Sequence, residues 1–286
     1  MALLPSPVER LIDLALEEDL FLGDVTSEAT LDAAEGEGHF LAKEDFVLAG
    51  TAVAARVFER LGSSCRFGRS DGDRVARGTI LGGARGRVSA LLAAERTALN
   101  FLQRLSGVAT LTSLCAGALR AGGGKTRLLD TRKTTPGWRR LEKDAVRAGG
   151  GTNHRFALGD GILIKDNHVA ACGGVGKAVR RARARASAML KIEVEVVDLA
   201  GLEEALAAGA DIVLLDNMDE ATMAEAVRRA AGRALLEASG NMTLERLPAV
   251  ARTGVDFVSM GALTHSARAT DISFEVEMAG AHPGGN

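Results

Sequence analysis

Tyrosine is absent, tryptophan occurs once and aromatic residues make up 3% of the chain. The densest basic run, Arg180 to Arg185 in VRRARARA, has no rings between its arginines. It therefore lacks the stacking surface used to bind single-stranded nucleic acid and reads as the wet face of a helix. Strong net charge is missing too: 35 Lys and Arg nearly balance 37 Asp and Glu, leaving -2. No whole-molecule field draws in nucleic acid or an anionic membrane, so an anion site has to be built locally. Cysteine is scarce. Cys65, Cys115 and Cys172 lie far apart, form no CxxC, and leave one thiol over under any disulfide scheme. Reduced thiols and a cytoplasmic location are the expectation. No apolar run approaches the length that spans a bilayer. The opening MALLPSPVERLIDLALEEDL has no basic n-region and puts acids where a signal peptide carries its apolar stretch.

What is present suits an enzyme-sized globular chain. With 286 residues, 47% hydrophobic and 25% charged, it can bury a substantial core. The opening reads as a helix, with Ser6 as N-cap, Pro7 at the first helical position and Glu9 completing a capping box. From about Thr126 onward one pattern repeats, a short β-branched or leucine-rich run, loop residues, then an alanine-rich amphipathic stretch. The runs are Thr126 to Leu129, Ile162 to Ile164, Ile192 to Val197, Ile212 to Leu215, Leu235 to Glu237 and Phe257 to Ser259. Strands separated by helices need crossover connections and favour a parallel sheet covered by helices. The expectation is an α/β protein, with a β/α barrel, complete or open, over residues 108–270.

The first hundred or so residues differ. Short alternating segments, His39 to Lys43 and Thr79 to Leu81, mix with glycine-rich turns, and a helical stretch from Leu91 to Leu105 follows. Residues 1–107 are read as a separate N-terminal α/β layer, with the boundary near Gly107 and residues 271–286 returning to it, Asp271 to Glu277 as an edge strand.

Barrels of this class carry chemistry on the loops after the C-terminal ends of their strands. Those ends run into Asp130, Thr131, Arg132 and Lys133, then Lys165 to His168, then Glu195, Asp216 with Asn217, Ser239 with Gly240, and Met260 with Gly261. Cations end the early strands, acids the middle ones and small residues the last. A single loop cation is usually just solvated. Arg132, Lys133, His154, Arg155 and Lys165 together, interleaved with Gly149 to Gly151, read as a pocket for a small polyanion, with arginine forks suited to carboxylates and lysine adding compact charge. The glycine loops at Ser239 to Asn241 and Gly261 to His265 suit a phosphate approached by backbone N–H groups.

These stretches, DTRKTTPG, LEK, GGG, NHR and LIKDNH, closely resemble the quinolinate phosphoribosyltransferases. The resemblance extends almost end to end through EEDLFLGDVTS, AERTALNFLQRLSGVAT, EVEV, LLDN, EASGN and VSMGALTHS. It implies an open α/β barrel with an N-terminal α/β sandwich domain. It implies transfer of phosphoribose from phosphoribosyl pyrophosphate to quinolinate with loss of carbon dioxide, in NAD biosynthesis. Carried over by motif, Arg132, Lys133, His154, Arg155 and Lys165 line the quinolinate pocket, Lys133 and Lys165 being catalytic as well. Arg96 reaches the pocket from a neighbouring subunit, which implies at least a homodimer. Glu195 and Asp216 face the phosphoribosyl pyrophosphate and its magnesium, directly or through water or substrate, and two acids suffice for that ion. Strand alternation sends Glu193 and Glu195 to one face, so the choice between them rests on motif position. Ser239, Gly240, Gly261 and His265 hold the 5′-phosphate. Trp138 stands where leucine is expected and is read as packing against a partner or loop; Asp144 and Ala157 are mild departures that touch no assigned role. A molybdate-transport-associated relative and a Schiff-base aldolase built on Lys165 are the competing enzyme readings, and a catalytically silent binding protein ranks last because no acid or cation is missing.

Overall fold

The computed structural model describes residues 4–278; residues 279–286, read above as part of the returning C-terminal segment, lie outside the described residues. The chain divides into two compact units. Of the described residues, one comprises 4–111, 135–150 and 266–278, and the other 112–134 with 151–265.

The first unit opens with helices α1 (Ser6–Leu20) and α2 (Val25–Thr30), then strands β1 (Glu35–Ala42) and β2 (Phe46–Val47). Helix α3 (Thr51–Arg60) leads to β3 (Ser64–Phe67), β4 (Arg74–Val75) and β5 (Ile80–Arg87), followed by the long helix α4 (Val88–Ala121). Further along the chain come β6 (Arg127–Leu129), α5 (Arg139–Ala148), β7 (Ile162–Ile164), α6 (Asp166–Cys172) and α7 (Val175–Arg185). Then follow β8 (Ile192–Val196), α8 (Leu199–Ala207), β9 (Ile212–Asp216), α9 (Glu220–Ala230) and β10 (Leu235–Ser239). The last described elements are α10 (Leu247–Thr253), β11 (Phe257–Ser259), α11 (Ala262–His265) and β12 (Ile272–Met278).

In the first unit a four-stranded antiparallel sheet runs β12-β1-β5-β3, with β12 on one edge. Its buried face packs on α3 through an aromatic cluster in which the Phe40 ring lies 4.8–5.7 Å from those of Phe274, Phe67 and Phe58. Two local readings change. Ser6 is the first residue of α1 and caps nothing with its side chain, because the N-cap is Pro5. Glu9 pairs instead with Arg56 at 3.1 Å and Arg60 at 2.6 Å on α3, since Pro5 at the N-cap has no backbone N–H for a capping-box glutamate to accept. Helix α4 also runs past Leu105, where the helical stretch was expected to end, and through Gly107. A side chain there would put its Cβ 2.0 Å from the carbonyl of Arg268. Glycine is thus kept for close chain approach and not as a terminator. Thr270 N–H donates to the Gln103 carbonyl at 3.1 Å along the same contact.

The second unit holds a six-stranded parallel sheet, ordered β6-β11-β10-β9-β8-β7. The six runs read from the sequence each form one of these strands, with ends shifted by at most two residues. Strands β6 and β7 do not pair, so the sheet is open there. Thr152 makes an isolated parallel bridge to Leu129 on the β6 edge. Register aligns Glu195 with Leu214, Leu214 with Glu237, Glu237 with Phe257, and Asp216 with Ser239. Aligned neighbours share a face and alternate residues return to it. One face therefore carries Glu193, Glu195, Asp216, Glu237 and Ser239, with the residues nearest the C-terminal ends at one rim.

Candidate active site

At the end of β6, Asp130 is fully buried and accepts the His154 backbone N–H at 2.8 Å and the Asn153 side-chain amide at 2.7 Å. This fastens residues 153 and 154 to the strand end from which Arg132 and Lys133 emerge into solvent. The Lys133 carbonyl accepts the Thr264 hydroxyl at 2.7 Å. A Cβ at Gly261 would lie 2.8 Å from Lys133 Cδ and 3.1 Å from His265 Nε2, so Lys133, Gly261 and His265 form one cluster at the ends of β6 and β11.

Across the rim, Lys165 Nζ lies 3.3 Å from Glu195 Oε2. Asp216, half-buried at the end of β9, accepts the Asn217 amide at 2.9 Å. Asn217 (φ 54°), Gly240 (φ 88°) and Asn241 (φ 47°) are all in the left-handed region, and the Asn241 amide donates to Asn217 Oδ1 at 2.9 Å. Two non-glycine residues held in that region beside a strand end mark a strained loop of the sort that clusters at ligand sites. The Ser259 hydroxyl donates to Ser239 at 3.2 Å, joining the last two strand ends.

One layer deeper, His154 Nε2 sits 3.1 Å from Glu193 Oε2 and 3.5 Å from Glu237 Oε2. Both carboxyl groups are buried, and each keeps one oxygen without a partner among the described residues. Burial, reinforced by the neighbouring Glu193, pushes the Glu237 carboxyl up to about 8. The Arg155 guanidinium donates from Nη1 to the Gly161 carbonyl at 2.9 Å, while its buried Nε has no partner among the described residues. Burial first, then the charge of Arg132, holds the Arg155 pKa below its ordinary value. His154, Arg155, Glu193 and Glu237 line a cavity of about 290 Å³ together with Arg127 and Phe257.

Of the residues singled out in the sequence, the second unit thus clusters Lys133 with Gly261 and His265, pairs Lys165 with Glu195, aligns Asp216 with Ser239, and sets Arg155 beside His154. Arg96 belongs to the first unit, exposed on α4 in a pocket shared with Leu14, Asn100, Phe101 and Trp138. Trp138 stacks on Phe101 of the same unit, with ring centroids 4.5 Å apart, and so packs on helix α4. Glu237 carried no role in the sequence reading. Its signal was an acid inside an otherwise apolar strand, LLEAS.

Two donor sets bear on a divalent cation. His154, Glu193 and Glu237 place ligand-type atoms within 4.8 Å of one another, but the Arg155 backbone N–H donates to His154 Nδ1 at 2.7 Å. The proton of the neutral ring therefore belongs on Nε2, which leaves that nitrogen no lone pair for an ion. Glu195 and Asp216 offer only oxygen, at the accessible rim, and fit magnesium, which keeps waters and substrate phosphates as its other ligands.

The fold and this rim define an open α/β-barrel enzyme whose C-terminal strand ends gather cations, acids and glycine loops. Residues 24–106 match the N-terminal domain of quinolinate phosphoribosyl transferase, and residues 108–275 its C-terminal domain. A probable nicotinate-nucleotide pyrophosphorylase (carboxylating) of Bacillus subtilis is 42% identical over 95% of this chain and 94% of its own. The chloroplastic nicotinate-nucleotide pyrophosphorylase (carboxylating) of Arabidopsis thaliana is 41% identical over 94% and 83% respectively. The crystal structure of NadC from Streptococcus pyogenes superposes with a TM-score of 0.92 at 42% identity, covering 97% of this chain and 99% of that one. The chain belongs to the quinolinate phosphoribosyltransferase family.

Proposed function

We propose that this chain joins the ring nitrogen of quinolinate to C1 of the ribose of phosphoribosyl pyrophosphate, releasing pyrophosphate and then carbon dioxide, and so forms nicotinate mononucleotide in NAD biosynthesis. The observation that carries the reading is the rim itself: Lys133 beside Gly261 and His265, and Lys165 paired with Glu195 at 3.3 Å, in a chain aligned with its relatives over nearly its whole length.

Arg132, Lys133, Arg155 and Lys165 bind the two carboxylates of quinolinate, with His154 beneath them. Among the described residues Arg155 Nε is a desolvated donor without an acceptor, a cost that a substrate carboxylate would relieve. The N–H groups around Ser239, Gly240 and Gly261, with His265, hold the 5′-phosphate. Glu195 and Asp216 orient the ribose and would hold magnesium. The ion, when bound, neutralises charge on the pyrophosphate. Positioning of the nitrogen against C1 is the protein's main contribution. Once the bond forms, the positive ring nitrogen stabilises the electron pair left on the adjacent carbon as its carboxylate departs as carbon dioxide, and a proton taken up from water onto that carbon completes nicotinate mononucleotide.

The working unit is at least a homodimer in this reading, with Arg96 contributed by the neighbouring subunit. In support, the first unit exposes Phe21 and Leu22 by about three quarters and Val25 by 68%, an apolar patch of the kind that marks an interface. Three free cysteines support a reducing, cytoplasmic location, and no helix among the described residues is long and apolar enough to cross a membrane. The functional division falls near Gly107. The test is incubation with quinolinate, phosphoribosyl pyrophosphate and magnesium while carbon dioxide is measured. Release should need all three, and release without phosphoribosyl pyrophosphate would defeat the reading.

A further inference from the structure

Glu193 and Glu237 are not used by the reaction as outlined, yet with His154 they place three ionisable side chains on one another in the interior face of the parallel sheet. His154 is held at three points. Its backbone N–H donates to Asp130 at 2.8 Å, its Nδ1 accepts the Arg155 N–H at 2.7 Å, and its Nε2 faces Glu193 at 3.1 Å and Glu237 at 3.5 Å. Both ring nitrogens are thereby engaged within the protein. Each carboxyl also retains a buried oxygen with no partner among the described residues. Buried polar atoms left unmatched cost stability, and replacing a buried charged cluster as a whole by hydrophobic residues of similar volume is often neutral or stabilising. A cluster that costs stability calls for another reason to exist.

We infer that Glu193 and Glu237 are positioning residues that lock the His154 ring, and that the ring in turn sets the backbone of Arg155 so that its guanidinium reaches the substrate carboxylate. Glu193 and Glu237 touch no substrate in this account. They act through His154, and His154 acts through the Arg155 N–H. Two carboxyls are needed because they come from β8 and β10, on either side of β9, and together fix the ring against rotation about its long axis. This inference rests on the reading that Arg155 meets quinolinate.

The test uses the full chain with Glu193→Leu and Glu237→Leu, which remove the acceptors, and Glu193→Gln and Glu237→Gln, which keep an oxygen for the Nε2 proton. Nitrogen-15 NMR of the unliganded protein reads the His154 tautomer. It should show the proton on Nε2 in the parent and both Gln variants; in the Leu variants the unlocked ring should turn away from the Arg155 N–H that now fixes Nδ1 as an acceptor, giving a mixture of tautomers. In steady-state assays the Leu variants should raise KM for quinolinate about tenfold, while KM for phosphoribosyl pyrophosphate moves by less than about twofold. The Gln variants should recover most of the difference. Melting temperatures of the Leu variants should stay level or rise. A His154 tautomer indifferent to the Leu substitutions would overturn the inference. So would equal changes in both KM values with a lowered melting temperature, which would show the cluster to be a structural element only. If the parent chain released no carbon dioxide, the proposed reaction would fail, while the tautomer measurement would still decide whether the carboxyls hold the ring.

Discussion

Replacing Arg155 with alanine separates reading of substrate charge from support of the fold. Among the described residues this guanidinium hydrogen-bonds the Gly161 carbonyl at 2.9 Å and leaves Nε buried without a partner. Loss of the Gly161 bond costs about 0.5–1.5 kcal/mol, and removal of an orphaned buried donor returns a similar amount. The balance is near zero, so the melting temperature should move by no more than about 4 °C. Quinolinate binding should respond differently. A hydrogen bond from a charged donor to a carboxylate contributes about 1.5–3 kcal/mol, which is roughly a tenfold to hundredfold loss in affinity. Nicotinate, which lacks the carboxylate beside the ring nitrogen, should lose less, and phosphoribosyl pyrophosphate almost nothing. Calorimetric titration of Arg155→Ala with each ligand, beside a thermal melt, gives all the quantities needed. Equal weakening of the three ligands, or a collapsed melting temperature, would refute the assignment and make Arg155 a structural residue of the 155–161 loop.

Three other outcomes can be measured. Gly240→Ala should place a Cβ 2.2 Å from Asn217 Oδ1 at φ 88°, at a conformational cost of about 1–2 kcal/mol; KM for phosphoribosyl pyrophosphate should rise more than KM for quinolinate, and an unchanged pair of values would remove this loop from the phosphate site. Glu237 ionises at about 8 in the fold against an ordinary 4.5, so the folded state holds an extra proton between those values and this group's contribution to stability declines as pH rises through that window. Glu237→Gln should flatten the fall in denaturation free energy between about pH 5 and 8, and an undiminished slope would show that Glu237 is already ionised. Mixing Arg96→Ala and Lys165→Ala chains, each inactive alone, should restore activity in hybrid dimers that keep one intact composite site; continued inactivity after demonstrated subunit exchange would argue against a shared site.

The parallel sheet was legible in the sequence because each strand announces itself as a short apolar run between alanine-rich helices, and because its last residue changes chemical character where it meets solvent. Lys165, Glu195, Asp216 and Ser239 could be placed at one rim from that alternation alone. What lay outside sequence reach depends on distances across the sheet. That Glu193 turns to His154 while Glu195 turns to Lys165 follows from the depth of each residue in its strand and from the path of residues 152–155, neither of which is written in the EVEV pattern. The same holds for Gly107, whose meaning depends on a backbone more than 150 residues away at Arg268. Glu9 satisfies the spacing of a capping box yet answers to two arginines on another helix. Local pattern names the available partners, and tertiary proximity decides among them.

The unpaired seam between β6 and β7 has a consequence for how such a site could be altered. A closed barrel fills its bore with side chains from its own strands, so each change inside it must be accommodated by its neighbours. Here the Thr152 bridge lays a piece of loop along the free edge of β6, and the residues after it, His154 and Arg155, enter the interior from a segment with no ladder of its own to preserve. Insertions or substitutions between Gly151 and Gly161 could therefore reshape the floor of the pocket while the six strands and the acids on them stay in register, and that segment is the natural place to vary when redirecting the enzyme toward a different pyridine acid.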